Sequence, residues 1–185
     1  MNYMKTIQII TFLLIIVNIN IRSQDIPYGV NEKAGRYCNV DDANIYYEVY
    51  GEGKPIVLLH GGYGYIDQFK YYIPILSKKF KVTAIAQRGY GKSEISSKQF
   101  SHALLVDDAK AVIQKESREK AIIIGFSSGA NLGYFIAYKY PEMVHKVIAM
   151  GVVLASSKGK NHEGKSLSET FEQYRPDFKK NHAST

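Results

Sequence analysis

The sequence predicts an α/β fold, with a mostly parallel sheet and helices on both of its faces. Short aliphatic runs of strand length, such as Ile56–Leu59 and Ala121–Ile124, alternate with longer segments whose apolar residues recur at helical spacing. The aliphatic runs contain no alternating polar residues, which is typical of parallel strands buried on both faces. In such sheets ligands bind beyond the carboxyl ends of the strands, so the residues after each run are candidate site residues.

Residues 1–23 have the pattern of a signal peptide. Lys5 precedes an apolar run, Ile7–Val17, and the sequence then turns polar towards Gln24. The apolar run is shorter than a membrane-spanning helix of about 20 residues. We therefore expect a secreted or periplasmic protein that begins near Gln24, with an uncleaved membrane anchor as the alternative. Cys38 is the only cysteine, so no internal disulfide is expected.

Residues 24–154 are predicted to form the core domain, and its strands are the segments rich in aliphatic, aromatic and β-branched residues. The predicted strands are Arg36–Val40, Ala43–Tyr50, Ile56–Leu59, Lys81–Ala86, Ala121–Ile124 and Val144–Leu154. The first two are joined at Asp41 and Asp42, a turn pair that predicts an antiparallel hairpin.

The predicted helices lie between these strands and show apolar residues at helical spacing. They are Ile66–Phe80, Ser101–Lys115 and Ser128–Tyr140. Pro74 is expected to open the main part of the first helix, and Ser101 to cap the second. Small residues such as Gly129 and Gly133 give the third helix a thin face that allows close packing on the sheet. Pro141 is expected to end it.

Residues 155–185 form a predicted polar tail in which only Leu167–Tyr174 is weakly helical. The whole chain has a formal net charge of +7, but its lysines are spread along the sequence. No basic stripe with interleaved aromatic residues is present in the sequence. This distribution is typical of solvated faces, so we predict no nucleic-acid partner.

Ser127 stands at the centre of a Gly-x-Ser-x-Gly motif that directly follows an aliphatic strand. Between a strand and a helix, this motif predicts a sharp turn that lifts the serine above the sheet in a strained backbone conformation. Side chains at Gly125 and Gly129 would collide as the strand folds back into the helix. The N–H of Ser128, at the helix N-terminus, then points at the negative charge that develops when Ser127 attacks a carbonyl.

Two other glycine-rich loops follow strands. Arg88–Ser93 ends in Gly-Lys-Ser, as a phosphate-binding loop does, but Ala86 stands where that pattern requires its first glycine. His60–Gly64 lacks the third glycine of the dinucleotide fingerprint, since Asp67 occupies that position. Nucleotide binding is therefore the least favoured hypothesis for the function of this chain, and we predict no cofactor and no metal.

These three motifs, in this order, resemble the N-terminal part of an α/β-hydrolase. The His-Gly-Gly loop follows the third strand, Arg-Gly-Tyr-Gly-Lys-Ser the fourth, and Gly-Phe-Ser-Ser-Gly the fifth. The resemblance implies that Ser127 is the nucleophile and that the backbone N–H groups of Gly62 and Ser128 form the oxyanion hole, with Tyr63 as the next candidate. It also implies that His60 orders its loop, because the catalytic base of this family comes late in the chain.

The resemblance covers about Arg36 to Leu154 and departs from the family at two places. Ala86 stands where the loop of the family usually starts with Asp. The triad of the family places its acid and its His after later strands, and the acid and base partners of Ser127 stay unassigned in this sequence. We therefore expect a truncated form with little activity as an isolated chain, in which residues 155–185 resemble the start of a lid region.

Three hypotheses about function follow. The favoured one is an exported serine hydrolase that acts on an ester, an amide or a short peptide; the His-Gly-Gly-x-Gly loop also resembles that of proline-type aminopeptidases. The second is a non-catalytic binding protein that keeps the pocket without the triad. The third is an unrelated parallel α/β module that binds a nucleotide. The membrane would be a partner only through residues 1–23, if they remain uncleaved.

Overall fold

The computed structural model of the protein describes residues 26–95, 97–98 and 100–151. The predicted signal peptide, residues 1–23, and the predicted polar tail, residues 155–185, lie outside the described residues. Within them, six strands form one sheet. The strands are β1 (Gly35–Val40), β2 (Ala43–Tyr50), β3 (Lys54–Leu59), β4 (Phe80–Ile85), β5 (Ala121–Phe126) and β6 (Val144–Met150).

The order of the strands in the sheet is β1-β2-β4-β3-β5-β6. β1 and β2 form the predicted antiparallel hairpin, and β2 also pairs antiparallel with β4. The remaining pairs are parallel, and Leu59 of β3 lies between Ile85 of β4 and Gly125 of β5. The mostly parallel sheet is therefore confirmed, and the carboxyl ends of β3, β4 and β5 lie side by side.

Three α-helices connect the parallel strands, namely α1 (Ile73–Leu76), α2 (His102–Glu116) and α3 (Ser128–Lys139). α2 begins as predicted, because the Ser101 side chain accepts a hydrogen bond from the N–H of Leu104. α3 ends before Pro141, also as predicted.

The predicted long helix over Ile66–Phe80 is wrong. This segment forms a 3-10 turn, Ile66–Phe69, and the single helical turn α1. Ile66, Phe69 and Ile73 are buried, whereas Tyr72, which the helical spacing places on the same face, is exposed. The chain has to return to β4 immediately afterwards. The Ser77 carbonyl lies so close to Gly51 that a Cβ there would be 2.2 Å from it. Tertiary packing of this turn against the β2–β3 connection therefore overrides the helical pattern.

Helices cover both faces of the sheet, as predicted. On one face α2 and α3 pack on the sheet through apolar side chains that include Leu105, Val112 and Phe135. On the other face the 3-10 turn and α1 contribute Phe69 and Ile73 to a second cluster. Successive residues of the strands alternate between these two clusters, because side chains of a strand point to opposite faces.

Glu48 of β2 is fully buried and holds the start of the described chain against the sheet. Its carboxylate accepts hydrogen bonds from the N–H groups of Gly29 and Asn31 and from the hydroxyls of Tyr46 and Tyr50. A buried carboxylate is stable only with such partners. The pKa of the Tyr46 phenol is raised, first by burial and then by its hydrogen bond to Glu48.

β6 forms one edge of the described sheet, and none of its residues is buried. Ile148 is exposed although it lies in the middle of the strand. Among the described helices, none combines the length and the apolar character needed to cross a bilayer.

Candidate active site

Ser127 lies at the junction between β5 and α3, in a backbone conformation that non-glycine residues rarely adopt. Its φ is 50° and its ψ is −117°. Such a conformation costs about 1–3 kcal/mol and persists only where neighbouring bonds enforce it. Here the Ser127 N–H donates to the Met150 carbonyl at the end of β6 (2.8 Å), and its own carbonyl accepts from Ala130 and Asn131 in α3. The sheet and the helix together therefore hold the serine in the predicted sharp turn.

The two glycines of the motif are required by close backbone contacts. A Cβ on Gly125 would lie 2.3 Å from the Gly129 carbonyl oxygen, and a Cβ on Gly129 would lie 2.2 Å from the Leu59 carbonyl oxygen. Real Cβ atoms do not approach backbone this closely. The first turn of α3 is thus pressed against the ends of both β5 and β3, as the motif predicts.

The loop after β3, His60–Gly64, lies directly against this turn. A Cβ on Gly61 would lie 3.3 Å from the Cβ of Ser127. The Gly61 N–H donates to Gln68 Oε1 (2.8 Å), and the Gly64 N–H donates to the Gly61 carbonyl (3.1 Å). These two hydrogen bonds fix the shape of the loop. The N–H groups of Gly62 and Tyr63 lie between them, in the central part of the loop.

Gly62 and Ser128, the two predicted oxyanion-hole residues, face each other. A Cβ on Gly62 would lie 3.6 Å from Ser128 Oγ, and both residues line one cavity. The N–H of Ser128 belongs to the first turn of α3, where backbone donors have no partner within the helix and the helix dipole favours negative charge. Ser127, Gly62 and Ser128 are therefore brought together. Tyr63 lies at the cavity as well, with a fully exposed side chain and a φ of 58°.

His60 is fully buried and both of its ring nitrogens are used in hydrogen bonds. Nε2 accepts from the Gln87 N–H (3.0 Å), so the proton is assigned to Nδ1, which donates to the Gly61 carbonyl (2.8 Å). Burial lowers the pKa of the ring below its ordinary value. His60 thus joins the loops after β3 and β4, as predicted, and cannot serve as the catalytic base.

The other described histidines are distributed as follows. His145 is exposed near the start of β6, at the opposite end of the parallel strands from Ser127. His102 begins α2 and lines the same cavity as Ser128, with its ring 5.2 Å from that of Phe135. His162 and His182, together with the acidic residues of the predicted tail, lie outside the described residues. The acid and the base that would assist Ser127 stay unassigned.

The loop after β4 is held by a buried ion-pair cluster that the sequence did not lead us to predict. Arg88 Nε and Nη2 each donate to Asp108 at 2.7 Å, and Nη1 donates to Asp42 at 2.9 Å. The bonds to Asp108 raise the pKa of the guanidinium above its ordinary value despite burial. This cluster orders the loop although Ala86 stands where the loop of the family usually starts with Asp. The signal in the sequence was Asp108 itself, an acid on the apolar face of a helix.

The cavity beside Ser128 has a volume of about 230 Å³. Its polar lining residues are Gln87, Ser101, His102 and Ser128, and much of the remaining wall is apolar or aromatic. The apolar and aromatic wall residues are Tyr63, Tyr90, Phe100, Leu105 and Leu132. In the described part of the chain, no three His, Cys, Asp or Glu side chains cluster in a way that could hold a metal ion.

Comparison with known proteins places this geometry in a family. Uncharacterized hydrolase YraK of Bacillus subtilis is 33% identical over 147 residues, which are 78% of this chain and 52% of that protein. Epoxide hydrolase 4 of Mus musculus is 31% identical over 120 residues, 62% of this chain and 33% of the relative. A crystal structure of an epoxide hydrolase from Bacillus megaterium superposes with a TM-score of 0.62 at 30% identity, over 66% of this chain and 44% of the other.

The chain spans about half the length, or less, of these relatives. A sequence profile described as the alpha/beta hydrolase fold matches residues 54–185, which include all three glycine-rich loops. This match agrees with the observed sheet and with the turn at Ser127. The chain therefore belongs to the α/β-hydrolase fold family.

Proposed function

We propose that Ser127 is the nucleophile of a hydrolase that acts on the ester, amide or peptide bond of a small molecule. The observation that carries this proposal is the strained backbone of Ser127, with a φ of 50°, between a buried strand and a helix N-terminus. A fold retains such strain where it has a use, and here the strained residue carries a hydroxyl at the carboxyl edge of a parallel sheet.

The proposed reaction begins when Ser127 Oγ attacks the carbonyl carbon of the substrate. Its proton passes to a base, and the carbonyl oxygen becomes an oxyanion next to the N–H groups of Gly62 and Ser128. The carbon–oxygen or carbon–nitrogen bond to the leaving group then breaks, and the leaving group takes up a proton. Water hydrolyses the resulting acyl-serine ester and regenerates the hydroxyl. His60 is not the base, because its Nε2 already accepts the Gln87 N–H.

The volume and the lining of the cavity favour a substrate whose bound part is a small apolar acyl group. Its volume of about 230 Å³ lies below the range of roughly 300–1,000 Å³ typical of pockets for drug-sized ligands. Tyr90, Leu105 and Leu132 line its wall, so short branched or aromatic acyl chains fit the site better than charged ones.

The names of several relatives raise epoxides as an alternative substrate, and the chemistry of a serine argues against it. Attack of Ser127 Oγ on an epoxide carbon would open the ring and leave an alkyl ether on the protein. An ether has no carbonyl carbon for water to attack, so the enzyme would stop after one event. A serine at this position therefore favours acyl transfer. Export through residues 1–23 remains part of the proposal, supported by their composition alone.

The test combines covalent labelling with turnover, on the full chain. Because the acid and base partners are unassigned, we expect slow reactions: a fluorophosphonate ester labels one residue, which peptide mass spectrometry identifies as Ser127. Ser127→Ala should abolish both this labelling and the low hydrolysis of short p-nitrophenyl esters. Ser97→Ala is the matched control, because Ser97 is exposed in a loop outside the site. With styrene oxide we expect no multiple turnover.

Two results would contradict the proposal. Labelling that persists in Ser127→Ala removes this residue from the mechanism. Sustained epoxide hydrolysis that depends on Ser127 refutes the acyl chemistry. If the chain binds an ester tightly without labelling or turnover, the non-catalytic binding protein becomes the better description.

A further inference from the structure

The hydroxyl of Ser128 is a buried polar group without a hydrogen-bond partner among the described residues. It is the one buried side-chain oxygen or nitrogen in that part of the chain for which none is found. Buried hydroxyls are nearly always paired, since an unpaired one has lost its water without compensation. Other buried polar side chains near the site, such as His60 and Arg88, have hydrogen-bond partners for each of their nitrogens. The exception therefore needs an explanation.

The position of the Ser128 hydroxyl suggests why it has no partner. Ser128 Oγ lies 3.6 Å from the point where a Cβ on Gly62 would stand, and both residues line the same cavity. Ser127 directly precedes Ser128 in the chain. Only three covalent bonds separate Oγ from the amide nitrogen of the same residue. Any oxygen that accepts a hydrogen bond from the Ser128 N–H is consequently within reach of the Ser128 hydroxyl after rotation about the Cα–Cβ bond.

We propose that the Ser128 hydroxyl is a third donor of the oxyanion hole, beside the backbone N–H groups of Gly62 and Ser128. This inference rests on the proposed function of Ser127. The hydroxyl finds its partner only when negative charge develops on the substrate oxygen. An interaction made in the transition state and absent from the free protein raises the rate of the chemical step, whereas one made equally with bound substrate does not.

The proposal makes Ser128 different from a residue that supports the fold. Removing a hydroxyl that has no partner in the free protein should leave stability unchanged or raise it. Removing a donor to the oxyanion should slow the chemistry. The combination of slower chemistry with undiminished stability distinguishes the two roles, since loss of a structural hydrogen bond lowers stability.

The experiment measures how fast a fluorophosphonate ester labels Ser127 in the full chain at saturating probe, because the phosphoryl oxygen of the probe occupies the position of the oxyanion. We expect Ser128→Ala to lower this rate constant about 10-fold, as for loss of one hydrogen bond to a charged group. Ser128→Thr keeps a hydroxyl and should restore most of the rate. Ser97→Ala serves as the control, and the thermal midpoint of every variant is measured in parallel.

The outcomes separate this inference from the proposed function. Equal labelling rates in the wild type and Ser128→Ala overturn the inference and leave Ser127 as the nucleophile. A slower Ser128→Ala that also melts at a lower temperature, or a slow Ser128→Thr, likewise overturns it in favour of a structural role. A wild-type chain that is not labelled at Ser127 overturns the proposed function, and the inference falls with it.

Discussion

At the scale of single residues, Ser127 and His60 are both held in states that an isolated peptide would not favour. Ser127 has a positive φ, and His60 is a neutral ring with no contact to water. In both cases neighbouring backbone groups enforce the state: Met150 and α3 for Ser127, and Gln87 and Gly61 for His60. Hydrogen bonds from other segments therefore hold the loops around the candidate site in place.

The buried ring of His60 predicts that stability falls in mild acid. Burial lowers its pKa from 6.5, so the unfolded chain binds a proton that the folded chain does not. The free energy of unfolding should decrease by up to about 1.4 kcal/mol per pH unit as the pH falls below the unfolded value. Urea unfolding between about pH 8 and pH 5.5 measures this slope.

The matched control for that measurement is His145→Gln, which removes an exposed histidine at the start of β6. This variant should keep the slope of the wild type. His60→Gln, if it folds, should lose it. If the pH dependence of the wild type persisted in His60→Gln and disappeared in His145→Gln, it would come from His145, and the prediction would be wrong.

At the scale of elements, the site depends on how closely α3 approaches the ends of β3 and β5. Gly129 touches the carbonyls of Leu59 and His60, so the helix start and the loop after β3 are fixed relative to each other. Gly133, one helical turn further on, faces side chains of Ile123 and Val147 instead. Backbone cannot yield to an added methyl group, whereas side chains can adjust.

This difference predicts that the same substitution has a large effect on stability at Gly129 and a small one at Gly133. Gly129→Ala should lower the free energy of unfolding by more than about 4 kcal/mol or prevent folding, because its Cβ would lie 2.2 Å from the Leu59 carbonyl oxygen. Gly133→Ala should change it by less than about 1 kcal/mol, because a tight contact of 3.1 Å to Ile123 is offset by the better helix propensity of alanine. Chemical denaturation of both variants is the measurement. Similar losses in the two variants would contradict the proposed packing.

At the scale of the whole described molecule, the sheet is asymmetric. On one side it ends in the β1–β2 hairpin, which packs against α2, and on the other in β6, whose residues are all at least partly exposed. Ile148 is 42% exposed there, and Phe126 at the neighbouring end of β5 is 39% exposed. A strand edge with exposed apolar side chains is a template for pairing with another chain.

We therefore expect self-association through β6. Ile148→Lys should reduce concentration-dependent association in sedimentation experiments, because a charge on an edge strand opposes pairing. Ile95→Lys is the matched control: Ile95 is 80% exposed, but it lies in the loop after β4, away from this edge. Equal effects of the two variants would mean that general surface hydrophobicity, rather than the edge of β6, causes association.

Much of this architecture follows from the sequence by itself. Segments rich in aliphatic, aromatic and β-branched residues identified all six strands, the Gly-x-Ser-x-Gly motif identified the turn at Ser127, and Ser101 was correctly predicted as the cap of α2. These features could be predicted because each depends on residues close together in the chain, through side-chain periodicity, steric limits on the backbone or a local hydrogen bond.

Only the tertiary structure decided the rest. The helical pattern of Ile66–Phe80 gave way to two short turns, because the chain packs against Gly51 and must return to β4. Arg88 found partners 20 and 46 residues away in Asp108 and Asp42. The unpaired hydroxyl of Ser128 and the neutral ring of His60 likewise depend on loops from different strands. Burial and hydrogen bonding between distant segments are set by which strands become neighbours, and local sequence patterns do not contain that information.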